Sequence, residues 1–161
     1  MAECVILIGL PGAGKTTFYW RHFATTHRHV SKDLWPNARQ REARQRRILG
    51  DTLGHGESVV VDNTNPSRED REPLIAIARA HHARVIGYFF DVSTREAVAR
   101  NAGRAGRNKV PNVAIFAAAK RLQPPAFTEG FDQLFIVHPL PDYLFTIRES
   151  DRPAQESSAQ P

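Results

Sequence analysis

The chain is poor in the residues that staple or anchor a protein. Cysteine occurs once, at Cys4. No disulfide framework can close within one chain, which fits a reducing cytoplasm, and Cys4 reads as a small core residue. Long apolar runs are missing: none approaches the roughly 18 residues that a membrane span requires. An apolar strand begins almost at the N-terminus, which leaves no room for a signal peptide. Lysine is confined to Lys15, Lys32, Lys109 and Lys120, so arginine carries nearly all of the positive charge. The 161 residues have a formal net charge of +5, and the pI is near 9.9. Arginine favours bidentate phosphate contacts, and a basic surface suits a polyanion. A genome rich in G and C would raise the arginine count equally well.

What is present is more specific. Gly9-Leu10-Pro11-Gly12-Ala13-Gly14-Lys15-Thr16 fits the phosphate-binding pattern GxxxxGK[ST]. It follows an apolar run, Cys4 to Leu10, and leads into a helical segment from Lys15. Glycines let such a loop curl and aim its amides inward as an anion nest. The following helix adds its positive end. Pro11, Ala13 and Thr17 complete the stretch. Lys15 supplies a point charge to the β- and γ-phosphates of a nucleotide, and the Thr16 hydroxyl is a natural Mg²⁺ ligand.

Strand and helix signals alternate along the chain, which predicts a parallel α/β sheet. Strands are expected at Cys4–Leu10, near His29–Ser31, and at Ser58–Asp62, Arg84–Asp91 and Gln133–Val137. Tyr143–Arg148 is a candidate edge strand. Helices are expected at Lys15 to about Ala24 and from about Pro36 to Gly54, with Pro36 at the first helical position. A third starts at Ser67, capped with Asp70, and runs to about His81; a fourth starts at Ser93 with Glu96; a fifth runs from Pro111 to about Leu122. Arg100 to Lys109 holds two glycines and no apolar stripe, and reads as a mobile loop. The expected organisation is one domain over residues 1–148 and a polar, disordered tail over 149–161.

Two carboxylates stand out. Asp62 ends the buried run Val59-Val60-Val61 and is followed by Asn63-Thr64-Asn65-Pro66 at the strand's C-terminal edge. Open α/β sheets bind ligands at that edge, and an acid there can hold Mg²⁺; a plain polar turn is the alternative. Asp33, in Ser31-Lys32-Asp33 after the second strand, lies at the same edge, either as a helix-flanking residue or as a base for a hydroxyl. Trp35 either packs in the core or stacks on a base. Arg39, Arg41, Arg44, Arg46 and Arg47 crowd the second helix, as a solvated face or a nucleic-acid-binding one. His27, His29, His81 and His82 lack metal-ligand spacing and read as surface residues.

The order of these pieces resembles the polynucleotide 5′-hydroxyl kinases, in particular the kinase domain of the polynucleotide kinase/3′-phosphatases. The matching segments are GLPGAGKTTF, the aspartate of SKD, VVVDNTNPSREDR, RNAGRAGRNKVP and FTEGF, over about residues 4 to 140. The resemblance implies ATP and Mg²⁺ at Lys15 and Thr16, Asp33 as general base for the 5′-hydroxyl, and Asp62 near metal and acceptor. It implies that Arg104 is a lid arginine over the transferring phosphoryl group, with Arg100 a second near the nucleotide and Arg107 a third candidate. Two departures matter. Ser31-Lys32 stands where the family often has Asn-Arg, and Pro36 stands where some members carry an arginine for the acceptor phosphate. No DxDGT phosphatase segment occurs in the chain.

These readings converge on a P-loop kinase fold, a five-stranded parallel sheet ordered 2-3-1-4-5, with flanking helices and an arginine-bearing lid. The expected acceptor is the 5′-OH end of DNA or RNA, bound near Asp33, Trp35, Asp62, Asn63, Thr64 and Asn65, with no membrane partner. A kinase of a nucleoside, sugar or antibiotic is the alternative within enzymes. An ATP-binding switch is the alternative outside them, and Asp33 argues against it, because a switch needs no hydroxyl base.

Overall fold

The computed structural model describes residues 1–106 and 109–154. Its framework is one sheet with helices on both faces. In chain order the elements are β1 (Glu3–Ile8), α1 (Lys15–His22), β2 (Arg28–Val30), α2 (Arg41–Gly54), β3 (Val59–Asp62), α3 (Arg68–Ala80), β4 (Arg84–Phe90), α4 (Thr94–Ala102), α5 (Asn112–Arg121), β5 (Gln133–Pro139) and β6 (Phe145–Glu149). The spatial order is β2-β3-β1-β4-β5-β6. The first five strands are parallel and have the expected order, whereas β6 runs antiparallel to β5. The sheet therefore has six strands rather than five.

β1 is apolar on both of its faces because helices cover both. Cys4, Ile6 and Ile8 point to one side, where Leu49 and Leu53 of α2 and Leu74 and Ile75 of α3 pack on them. Val5 and Leu7 point to the other, against Phe18 and Tyr19 of α1, Ala97 of α4 and Ile115 of α5. Cys4 is fully buried, and burial pushes its thiol up to about 12, which makes it inert.

Both predicted N-cap serines are in place, but only one of the two expected capping boxes is reciprocal. Ser67 and Asp70 form a reciprocal capping box on α3, and Ser93 accepts the Glu96 amide on α4. Two boundaries differ from expectation. α2 starts at Arg41, not Pro36: Lys32–Leu34 form a short 3₁₀ turn, and Gln40, at φ 55°, bars an earlier start by adopting the left-handed region. Arg39 is thus off the helix. The segment from Arg100, expected as a loop, is helical through Ala102, so α4 itself holds Arg100 and Asn101.

Register brings the two key loops together. β1 and β3 pair with Leu7 opposite Asp62. Just beyond, the Gly9 amide donates to the Thr64 carbonyl at 3.1 Å. The loops after β1 and β3 thereby meet at the C-terminal edge of the sheet, where the chain crosses to opposite sides.

Candidate functional site

The turn between β1 and α1 depends on its glycines. Gly12 and Gly14 have φ of 85° and 94°, and a Cβ on Gly12 would lie 2.9 Å from the Ala97 carbonyl oxygen. Gly14 is the N-cap of α1 and provides no side-chain cap, so the first amides of α1 are left for an anion. Lys15 is buried, and its ammonium donates to the carbonyls of Gly9 and Leu10, both at 2.8 Å. Burial drives its pKa down to about 8; Asp62 and Asp33 oppose that shift and Arg104 adds to it. Those three charged groups therefore act on the Lys15 ammonium. Pro11, Ala13 and Thr17 flank the same turn, with Ala13 fully buried.

Asp62 is 4% exposed, and one of its oxygens, Oδ2, accepts from two groups. The Thr16 hydroxyl donates to it at 2.8 Å, and His29 Nε2 lies at the same distance. The His29 ring is stacked on Tyr19, with centroids 4.1 Å apart and 14° between planes. Tyr19 is held in turn by its hydroxyl, which donates to the His27 carbonyl. His29 is thus a partner of Asp62 and not the surface residue that its spacing suggested; His27 likewise contacts Glu3. The β2–β3 pairing sets His29 opposite Val60, which puts its ring on the face that Asp62 shares. Among the described residues no group of three or more His, Cys, Asp or Glu could hold a metal ion. The Thr16 hydroxyl and Asp62 carboxylate are a hard, oxygen-only pair, the donor set that Mg²⁺ accepts when phosphates and water complete its shell.

Asp33 is exposed in the 3₁₀ turn, whose cap is Ser31: the Asp33 amide donates to Ser31 Oγ at 3.2 Å. Asn63 fixes that turn. Its Oδ1 accepts the Lys32 amide at 2.9 Å, and its Nδ2 donates to Gln45 of α2 at 2.7 Å. Asn65, at φ 44°, donates to the Leu7 carbonyl at 2.8 Å. The amides of Asn63 and Asn65 are therefore engaged in building the edge, although both residues line a cleft there together with Asp33 and Thr64. This cleft, about 780 Å³, is walled by α2 (Arg41, Arg46), α3 (Glu69, Pro73) and the alanines Ala114, Ala117 and Ala118 of α5. Trp35 is half-buried against the α2–α3 side of the core, and Arg44 covers its ring.

Arginines come from α4 and the residues after it. Arg100 Nε donates to the Gly12 carbonyl at 2.8 Å, which sets its guanidinium on the glycine turn. Arg104 is half-buried; burial and Arg100 hold its pKa below the usual guanidinium range, and Asp62 opposes them. Arg107 lies outside the described residues. Asn101, between the two arginines, went unnoticed in the sequence. It is fully buried, its Nδ2 donates to the Val110 carbonyl at 2.6 Å, and its Oδ1 accepts the Val110 amide at 3.0 Å. It clips together residues on either side of the Arg104 segment.

A second missed element is the fully buried Arg71. It pairs with both oxygens of Glu129 and donates to the carbonyls of Asn65, Pro66 and Gln123. The FTEGF segment thus anchors the loop after β3. A charged residue in SREDR, matched by a lone Glu 58 positions on, was the only signal in the sequence.

Residues 4–125 match the family described as AAA domain. Over 133 residues the chain is 28% identical to the bifunctional polynucleotide phosphatase/kinase of Schizosaccharomyces pombe, a match that covers 80% of this chain and 32% of that protein. The chain thus spans about a third of that relative's length. Among solved structures, a gluconokinase from Sinorhizobium meliloti 1021 aligns with a TM-score of 0.59 at 17% identity, over 84% of this chain and 82% of that one. A fungal RNA kinase aligns with a TM-score of 0.58 at 20% identity, over 87% and 75%. At these identities the structural likeness shows the fold alone: a P-loop kinase fold, which implies nucleotide binding.

Proposed function

This chain belongs to the AAA domain family, and from that premise we propose that it is an ATP-dependent phosphotransferase whose acceptor is the 5′-hydroxyl end of a nucleic-acid strand. The observation that carries the reading is the geometry of the sheet edge: Lys15 is tied into the glycine turn, Thr16 donates to Asp62 at 2.8 Å, and Asp33 lines the adjoining cleft. Loop amides and Lys15 hold the β- and γ-phosphates of ATP. Thr16 and Asp62 would hold Mg²⁺, with His29 orienting the carboxylate. Bound there, the ion would offset negative charge on the phosphates. Asp33, exposed in the cleft, takes the proton of the acceptor hydroxyl as its oxygen bonds to the γ-phosphorus, and the bond to the β,γ-bridging oxygen breaks. Arg100 stays on the glycine turn, and Arg104 stabilises charge that develops on the transferring group. Catalysis on this scheme is positioning plus charge neutralisation.

Three facts support a nucleic-acid acceptor: the similarity to a polynucleotide phosphatase/kinase, the net charge of +5, and Arg41 and Arg46 on the cleft wall beside Asp33. A sugar acceptor has its own support in the gluconokinase fold. Salt separates the two. For a single strand, log affinity falls with log salt at about −0.7 per phosphate contacted. Acceptor KM for a 5′-OH oligonucleotide should therefore rise steeply between low and physiological salt. An acceptor KM that ignores salt, or a sugar or nucleoside used as efficiently as the oligonucleotide, overturns the polynucleotide reading.

A further inference from the structure

Trp35 follows Asp33 by two residues, and one side of it packs on the α2–α3 core. The guanidinium carbon of Arg44, from the first turn of α2, stands 4.6 Å from the centroid of its ring. The cations around this pair are used differently. Lys32 pairs with Glu42, Arg41 donates to the Lys32 carbonyl, and Arg121 pairs with Asp70 across the cleft. Arg44 is exposed and forms no ion pair among the described residues. An arginine held by a carboxylate spends its edge N–H groups on that partner. One that lies over an indole leaves its N–H donors free for another partner and still presents its charge outward.

We propose that Arg44, supported from below by Trp35, is a stacking platform for a nucleobase of the acceptor strand beside its 5′ end. The proposal rests on the nucleic-acid reading of the acceptor and goes further, because it names the residue that receives the base. A guanidinium plane stacks on bases and adds a cation–π attraction. The charge also attracts the neighbouring phosphates, which a plain aromatic does not. Because every base has a π face, the contact tolerates any sequence. A sugar has no such face and would gain nothing from it. Trp35, for which the sequence left both core packing and base stacking open, is thereby the support beneath that surface.

The test measures binding without ATP, so that it is independent of catalysis. Fluorescence anisotropy would follow a labelled 5′-OH oligonucleotide and a matched strand without bases at its first two nucleotides. Arg44→Lys keeps the charge and loses the plane; Arg44→Ala loses both. Both are surface changes, and circular dichroism checks their fold. On the normal strand both variants should raise Kd about 3- to 30-fold. On the abasic strand, which wild type should bind more weakly by a similar factor, Arg44→Lys should cost nothing further. The proposal is overturned if Arg44→Lys binds the normal strand like wild type. It is also overturned if Arg44→Lys loses as much on the abasic strand, which would make the contact one to phosphate. If wild type binds neither strand, the nucleic-acid acceptor falls and the platform with it.

Discussion

Removing the Glu129 carboxylate should destabilise the protein more than any surface charge change. Arg71 is fully buried, and Glu129 is its counter-charge: Arg71 Nε and Nη2 donate to the two Glu129 carboxylate oxygens at 2.8 and 3.1 Å. Glu129→Ala leaves a buried guanidinium without an anion. Such a loss costs about 3–5 kcal/mol, or roughly 10 °C in Tm for a chain of this size. The reverse truncation does not rescue the site, because Arg71 also satisfies the carbonyls of Asn65, Pro66 and Gln123. Replacing both partners with apolar residues should therefore remain destabilising, unlike buried pairs that bond only to each other. Arg121→Ala is the control: its pair with Asp70 is solvent-exposed, so its loss should cost less than about 1 kcal/mol. Urea denaturation with the linear extrapolation gives both values. A Glu129→Ala cost below about 1 kcal/mol would refute the idea that this ion pair anchors the loop after β3.

Three further outcomes concern chemistry. The Lys15 ammonium binds triphosphate only when charged, and its pKa of about 8 in the free protein puts the loss above that pH: ATP affinity should hold below pH 8 and weaken above it. Lys15→Arg, which does not titrate there, should flatten that profile in a calorimetric titration, and an equal decline in both proteins would contradict the assignment. Asp33→Asn keeps the shape and loses the base, so kcat should fall about 10²- to 10⁴-fold with ATP Kd nearly unchanged; a collapse of ATP affinity would instead make Asp33 a nucleotide residue. Arg104→Ala should lower kcat while nucleotide Kd stays close to wild type, and a loss confined to Kd would make Arg104 a ground-state clamp.

The strand positions, the glycine turn and the place of Asp62 were legible in the sequence because their signals are local: an apolar run, glycines at fixed spacing and an acid at a strand end; the strand order came only with the kinase fold that those pieces resemble. Capping at Ser67 was legible for the same reason. His29 was not, because its partner Asp62 is brought to it only by the β2–β3 register. Arg71 and Glu129 carry no period or spacing that links them before the chain folds. The start of α2 was misplaced because Pro36 is a good first helical residue in isolation; the left-handed Gln40 is not a preference that glutamine advertises. Arg100 was assigned to a loop on its glycines and charge, yet Asn101 turns inward to bond with Val110, and that buried contact extends α4 past the point where composition suggested a break.

The most direct test of the account is transfer of the labelled γ-phosphate of ATP to a synthetic oligonucleotide, assayed with a free 5′-hydroxyl and with a 5′-phosphate. The account predicts label at the 5′ end of the first, none on the second, and labelling of the first slowed about 10²- to 10⁴-fold with Asp33→Asn. Label that appears on gluconate or a nucleoside while the 5′-hydroxyl strand stays unlabelled would contradict it.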